Sequence, residues 1–331
     1  MDIKQSILEM FENNPNTFLS GESIANKLYV SRNAVWKAVK ELKARGYDIT
    51  AVTNKGYCMN SNSGILSGQG INKYTNTTYP NIFVHKIIDS TNTAAKNLAE
   101  KGAPEWTVII SEEQTSGKGR VNRPFYSPKG TGLYMSIILR PKFAAEKAVF
   151  ITAAAAVAVA RATEYVSEKK AMIKWVNDIY CNSKKVCGIL TQGAVNMETG
   201  AFDYAVLGIG INVFRPDGGF PPEIENIAGY VLENKNVFPD AANRIAAEIL
   251  NLFSEYYEDI EHKTFVDEYR ARSFITGKHI NVIKPGITLP AEALEIDDNC
   301  GLKVRYNDGS IETLSSGEVS TKITENQVYD K

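Results

Sequence analysis

At 331 residues, with 44% hydrophobic and 23% charged side chains and a formal net charge of −1, the chain has the make-up of a folded globular protein and lacks the overall charge of a polyelectrolyte binder. That length exceeds a usual single core, so two or three domains are expected. The sequence Met1-Asp2-Ile3-Lys4 shows no signal peptide, and the apolar run at 149–160 stops at Arg161 before it could span a bilayer. Cys58, Cys181, Cys187 and Cys300 form no Cys-x-x-Cys pair, as expected of a cytoplasmic protein with structural cysteines and no membrane partner. His85, His262 and His279 lack the spacing of a metal cluster or a Ser-His-Asp arrangement.

The first sixty residues read as a separate domain. Ile3, Ile7, Leu8, Met10 and Phe11 recur at helical spacing; Ser20 caps a helix carrying Ile24, Ala25 and Leu28; Ser31 caps another with Ala34, Val35, Ala38, Val39 and Leu42 inward. An alternating run at 47–52, a turn at Thr53-Asn54-Lys55-Gly56 and a return at 57–59 complete a winged helix-turn-helix. Residues 20–57 hold seven cations against three anions, a local +4 in a nearly neutral chain. Ser20, Ser31, Arg32, Asn33, Trp36, Lys37 and Lys55 are therefore the expected DNA contacts, on the recognition helix and at the wing tip.

A linker rich in Ser, Asn, Gly and Thr follows at 61–80, with a short helix expected at 65–74. Strand-like runs at 83–88, 107–111, 133–139, 171–175, 178–181, 188–192 and 204–211 alternate with helices near 92–101 and 147–166, an α+β pattern with a mixed sheet. Helices are expected again at 240–262 and 264–272. Short strands from 278 to 324, broken by Lys284-Pro285-Gly286 and Asn307-Asp308-Gly309, suggest a small β-barrel.

The densest chemical signal is Glu113-Gln114-Thr115-Ser116-Gly117-Lys118-Gly119-Arg120-Val121-Asn122-Arg123, where glycines and cations interleave. Such a loop brings backbone N–H groups and positive charge to an anion, and it fits neither the Walker nor the Gly-x-Gly-x-x-Gly pattern. Asp89-Ser90-Thr91-Asn92 lies upstream. Downstream come Lys174-Trp175-Val176-Asn177-Asp178, then Lys184-Lys185-Val186-Cys187-Gly188-Ile189-Leu190, then Gly208-Ile209-Gly210-Ile211-Asn212-Val213. In this order the five segments resemble the catalytic domain of biotin protein ligases, and residues 1–60 resemble the DNA-binding domain of the bifunctional ligases that repress biotin genes.

The resemblance covers essentially the whole chain. It implies an α+β protein with a winged helix-turn-helix at 1–60, a linker at 61–80, a mixed-sheet biotin/lipoate ligase-like catalytic domain at 81–273 and a small SH3-like β-barrel at 274–331. It implies a reaction in which biotin and ATP, with Mg²⁺, give biotinyl-adenylate, whose acyl group passes to a lysine of a biotin carrier protein such as that of acetyl-CoA carboxylase. By this resemblance Lys185, Arg120 and Lys174 are catalytic. Biotin is held by Ser90, Thr91, Asn92, Gln114, Gly117, Lys118, Gly119, Arg120, Lys185, Gly188, Gly208 and Gly210. ATP falls to Lys118, Arg120, Arg123, Phe125, Lys174, Asp178, Lys185, Asn212 and Lys322, with Asp178 also the metal contact.

Biotinyl-adenylate is expected to act as corepressor, favouring a homodimer whose paired winged helices grip operator DNA. The chain departs from the family pattern at Lys118 (commonly Arg), Asn122 (Gly), Phe125 (Trp), Val176 (Pro) and Lys322 (Arg). A non-catalytic biotin-sensing repressor and a lipoate or octanoate ligase are the competing readings. The polar set Ser90, Thr91 and Gln114 suits a ureido ring better than an alkyl chain.

Overall fold

A computed structural model describes residues 3–14, 16–44, 47–59, 64–196, 198, 200–236, 238–315 and 317–321. Near the N-terminus, helices α1 (Ile3–Glu12), α2 (Gly21–Leu28) and α3 (Arg32–Ala44) surround their own core of Ile7, Phe11, Ile24, Val35 and Leu42. Ser20 Oγ accepts from Ser23 N–H and Ser31 Oγ from Ala34 N–H, so both serines fix helix starts as the spacing required. Strands β1 (Ile49–Val52) and β2 (Gly56–Met59) form the wing, and Leu19 adds a bridge to Tyr57. The turn needs glycine at 56: φ is +103°, and a Cβ there would lie 2.1 Å from the Leu19 carbonyl oxygen.

The segment expected as a linker is fastened to the protein from Ile65 onward. Helix α4 (Gly68–Asn72) buries Ile71, and Tyr79 enters the main core. Helix α8 (Ala241–Glu258) grips this belt with two buried amides. Asn243 accepts from Ser67 N–H and donates to the Ile65 carbonyl; Asn251 accepts from Asn76 N–H and donates to the Tyr74 carbonyl.

The central sheet contains β3 (Ile82–His85), β4 (Val108–Ser111), β5 (Gly132–Leu139), β6 (Ala171–Lys174), β7 (Asp178–Cys181), β8 (Lys184–Val195) and β9 (Phe202–Asn212). Its order is β3-β4-β5-β9-β8-β7-β6, antiparallel except for β3 beside β4, which is the mixed sheet expected. One face packs on α6 (Ala148–Ser167) and α8, with Val108, Leu133, Met135, Leu207 and Ile209 inside. The other face is partly covered: α5 (Thr91–Glu100) seals Ile109, Ile138, Tyr204 and Val206 with Ala95 and Ala99. Beyond the N-terminus of α5 this face lies open.

Helix α6, with its leading turn, is long and apolar enough to cross a membrane by length and composition, but 78% of its most apolar 18 residues are buried, which identifies it as a core helix. Helices α7 (Pro222–Glu225) and α9 (Val266–Arg272) complete the helical set, α9 closing one end of α6. The last five strands, β10 (His279–Lys284), β11 (Ile287–Ile296), β12 (Leu302–Tyr306), β13 (Ile311–Leu314) and β14 (Glu318–Thr321), form one antiparallel sheet in the order β13-β12-β11-β10-β14. Among the described residues no pairing joins β13 to β14, so the expected barrel stands as an open sheet. Short strands and turn residues are common to both architectures; register decides between them. This sheet shares the main core and is tied to it by Trp175 Nε1–H to the Cys300 carbonyl, 2.9 Å.

Candidate active site

Register across the central sheet aligns one row of residues on its open face. Lys174 pairs with Asp178, Asp178 with Gly188, Gly188 with Gly210 and Gly210 with Tyr134. Gly208, two positions along β9, falls on the same face opposite Ser136. Three glycines thus leave a strip of bare backbone between polar and charged neighbours. At two of the three a side chain has no room to return: a Cβ on Gly208 would lie 2.0 Å from Asn92 Oδ1, and one on Gly210 would lie 2.6 Å from the Phe125 ring.

Over this floor lies a small cleft. It is lined by Ser90, Thr91, Asn92, Gln114, Lys118, Phe125, Tyr134, Gly188, Leu190, Gly208, Ile209 and Gly210. Nine of these are the expected ligand residues, gathered from α5, the basic loop, β8 and β9. At one end Ser90 caps α5 while Thr91 N–H and Oγ1 both reach Gln114 Oε1, at 2.8 and 3.1 Å. Gln114 Nε2 donates to Ser127 Oγ at 2.9 Å, so the glutamine amide has one orientation.

Residues that sequence reasoning left without a role complete this network. Ser136 is fully buried with its hydroxyl 2.8 Å from Thr91 Oγ1 and 2.6 Å from Asn92 Oδ1, and Asn92 Nδ2 donates to Gln192 Oε1. The available signal was a lone serine inside the otherwise apolar run 133–139. Tyr134 donates to the Pro128 carbonyl at 3.0 Å, and burial pushes its phenol well above the ordinary value, keeping it a neutral donor.

The basic loop is a closed hairpin rather than a loose strap. Phe125 N–H donates to the Gly117 carbonyl and Gly119 N–H to the Arg123 carbonyl, with a single 3₁₀ turn Arg120–Asn122 at the tip. Val121 there takes φ 52°, ψ 41° and is 76% exposed, an uncommon conformation for a β-branched residue. Lys118 lines the cleft. Arg120, expected over the ligand, points elsewhere: its guanidinium donates to Asn177 Oδ1 at 3.1 Å and to the Gly317 carbonyl at 2.8 Å. It therefore ties the hairpin to the 175–177 turn and to the C-terminal sheet. Arg123 is exposed, and Lys322 lies outside the described residues.

At the other end of the cleft Lys185 Nζ sits 2.7 Å from Asp178 Oδ1, both half-buried, as an ion pair without aligned hydrogen-bond geometry. A β-bulge opposite Tyr180 sets where Lys185 falls. Its backbone is held by a neighbouring strap: Lys185 N–H donates to the Ile227 carbonyl and Gly229 N–H to the Lys185 carbonyl, each at 2.8 Å. Lys184 fastens that strap from beneath, its Nζ donating to the carbonyls of Glu225 (3.2 Å) and Asn226 (2.7 Å). Asn212, expected at adenine, donates to the Gly229 carbonyl at 3.0 Å and so belongs to the same strap. Cys187 is fully buried with its thiol pushed up by burial, so it offers no thiolate here.

On the N-terminal domain, Arg32, Asn33, Trp36, Lys37 and Lys40 are all exposed on α3 at helical spacing. Trp36 is 50% exposed with Lys40 Nζ 5.2 Å from its ring, and Lys55 is exposed at the wing turn. All four cysteines are free and buried. Among the described residues no group of three His, Cys, Asp or Glu side chains is arranged to hold a metal.

The pattern described as the biotin/lipoate A/B protein ligase family matches residues 84–212, so the glycine-floored sheet is the module of a protein ligase. A helix-turn-helix domain pattern matches 4–58, and the biotin protein ligase C-terminal domain matches 275–322. The bifunctional ligase/repressor BirA of Bacillus subtilis (strain 168) is 34% identical over 322 residues, covering 96% of this chain and 98% of the relative. The chain belongs to the biotin protein ligase family, in its bifunctional ligase/repressor form. The biotin–[acetyl-CoA-carboxylase] ligase of Mycobacterium tuberculosis is 28% identical, covering 70% of this chain and 85% of that protein. A solved structure of biotin protein ligase from Aquifex aeolicus in complex with biotin and ATP matches 73% of this chain and 98% of that one, with a TM-score of 0.58 and 24% identity, a likeness of fold.

Proposed function

We propose that the chain uses ATP to convert biotin to biotinyl-5′-AMP, passes the biotinyl group to a carrier-protein lysine, and represses biotin genes through its winged helix. The observation that carries this reading is the glycine floor with a fixed polar set at one end, Lys118 in its lining and Lys185 beside Gly188. A bicyclic ureido acid fits that layout. Thr91, Gln114 and Asn92 supply donors and acceptors for the ring, bare backbone at Gly188, Gly208 and Gly210 accepts the flat tail, and Lys118 faces the carboxylate.

Adenylation needs cations where negative charge accumulates as the carboxylate attacks the α-phosphate. Lys185, pinned by Asp178 and the 227–229 strap, meets that need without reorganising, and Lys174 lies one strand pairing away from Asp178. Phe125 offers a ring face to adenine. Asp178 is engaged by Lys185 and has no cluster of further ligands beside it among the described residues. An Mg²⁺ accompanying ATP would thus be held by phosphates and water, where it screens phosphate charge.

For repression, Arg32, Asn33, Trp36 and Lys37 face the major groove and Lys55 a phosphate, while Ser20 and Ser31 are helix caps beside the contact. Biotinyl-adenylate acts as corepressor by favouring a homodimer on a two-fold operator. The C-terminal sheet, an SH3-like module in this reading, supports the hairpin through Arg120. Biotin-dependent exchange of pyrophosphate into ATP, followed by transfer to a biotin carrier domain, tests the reading. Absent exchange leaves a non-catalytic sensor, and exchange driven by lipoate or octanoate instead of biotin reassigns the substrate. For the corepressor role, operator affinity is compared with and without biotin plus ATP; equal values remove the coupling.

A further inference from the structure

Lys118, which lines the cleft, and Lys185, beside Gly188 of its floor, differ in their surroundings. Lys185 must break an ion pair of 2.7 Å to Asp178 before its nitrogen can present a lone pair. Lys118 has no ion-pair or hydrogen-bond partner for its side chain among the described residues, and it lines the cleft from a hairpin whose backbone is closed on itself. Given the ligase reading, on which this inference rests, a cation that holds the acid's carboxylate at about 3 Å stands, once the acyl phosphate forms, beside the acyl carbon. Reacting atoms held about 3–3.5 Å apart are in near-attack geometry, which replaces an encounter with an intramolecular step. A guanidinium in that place would be inert, because it stays protonated; a primary amine is a nucleophile whenever it gives up its proton.

We propose that Lys118 is a self-modification site, acylated by the adenylate formed on the same chain when no carrier lysine is present. Lys118 Nζ forms an amide bond to the acyl carbon, the anhydride C–O bond breaks, AMP leaves with the electron pair, and the amine proton passes to the departing phosphate or to solvent. The product replaces the cleft's unpaired ammonium with a neutral amide and tethers the acyl tail at the cleft. Each such event silences one chain, so idle enzyme with abundant biotin and ATP limits itself.

The test incubates full-length protein with biotin, ATP and Mg²⁺ without carrier domain. It follows intact mass, maps the label after proteolysis at glutamate, and measures biotin-dependent pyrophosphate exchange in parallel. The expected result is one biotinyl group per chain, on Lys118, with a first-order rate constant independent of protein concentration and exchange decaying in step. In Lys118→Arg the label per unit of exchange falls by about tenfold or more, because the positioned amine is gone. Three results overturn the proposal: exchange without label, label spread over other exposed lysines such as Lys86, Lys96 and Lys129, or a rate that climbs with protein concentration. Absence of exchange, by contrast, removes the ligase reading itself, and self-acylation with it.

Discussion

From Arg32 to Lys40, the exposed groups of the N-terminal domain come from consecutive turns of one helix, seated on a core separate from that of the rest of the protein. The cleft, in contrast, draws Ser90 from a helix start, Gln114 and Lys118 from a hairpin, and Gly188, Gly208 and Gly210 from paired strands. In the first region a side chain's position follows from its own helix; in the second it follows from register between distant segments. The DNA-reading face should therefore tolerate change one residue at a time, while the cleft should fail when Gly208 or Gly210 is filled.

The largest effect is expected at the floor. Gly210→Val places branched carbon against Phe125 and should lower biotin-dependent pyrophosphate exchange by about 10²-fold or more, as ångström-scale misplacement in active sites does. Operator binding without ligand should be unchanged, and equal loss of both would erase the contrast between the regions. Next, Leu42→Ala opens a cavity in the separate N-terminal core and should cost about 2–5 kcal/mol there. Calorimetry should show an early transition for this domain while exchange activity persists; a single shifted transition would mean that the two cores unfold together.

A smaller effect sharpens the picture within the cleft. Lys184→Met keeps the stem beside Gly229 but loses the donors to the strap, so kcat for exchange should fall about tenfold, roughly one lost charge-assisted hydrogen bond, with KM for biotin unchanged. Lys184→Arg should recover most of that loss; failure of the rescue would make the position merely structural. The smallest effect lies on the DNA side. Lys37→Ala or Lys55→Ala should each reduce the slope of log K against log salt by about 0.9 with little change in sequence preference. A change in base preference at one operator position would reassign that lysine from phosphate to base.

Much of this architecture was legible in the sequence, and for identifiable reasons. Ser20 and Ser31 announced their helices because a cap is a local hydrogen bond. The seven central strands lay where alternation placed them, with ends shifted by up to four residues. Other features depended on contacts made across the chain. The segment at 61–80 reads as a linker from composition, yet Asn243 and Asn251, more than 160 positions away, satisfy its backbone groups. Arg120 carries the same charge as its neighbours in the hairpin, but the carbonyl of Gly317 claims it. Ser136 is only a lone serine in an apolar run until strand pairing sets it opposite Gly208.

The amino-acid sequence by itself determined the elements, the basic surface of the first domain and the residue types of the cleft, because periodicity, capping and charge act over a few positions. Tertiary structure alone decided which of the cations face the cleft, which lysine is paired, and that three glycines share one face of the sheet. Those outcomes depend on strand register and on long-range partners for side chains, and both are settled only when distant segments meet.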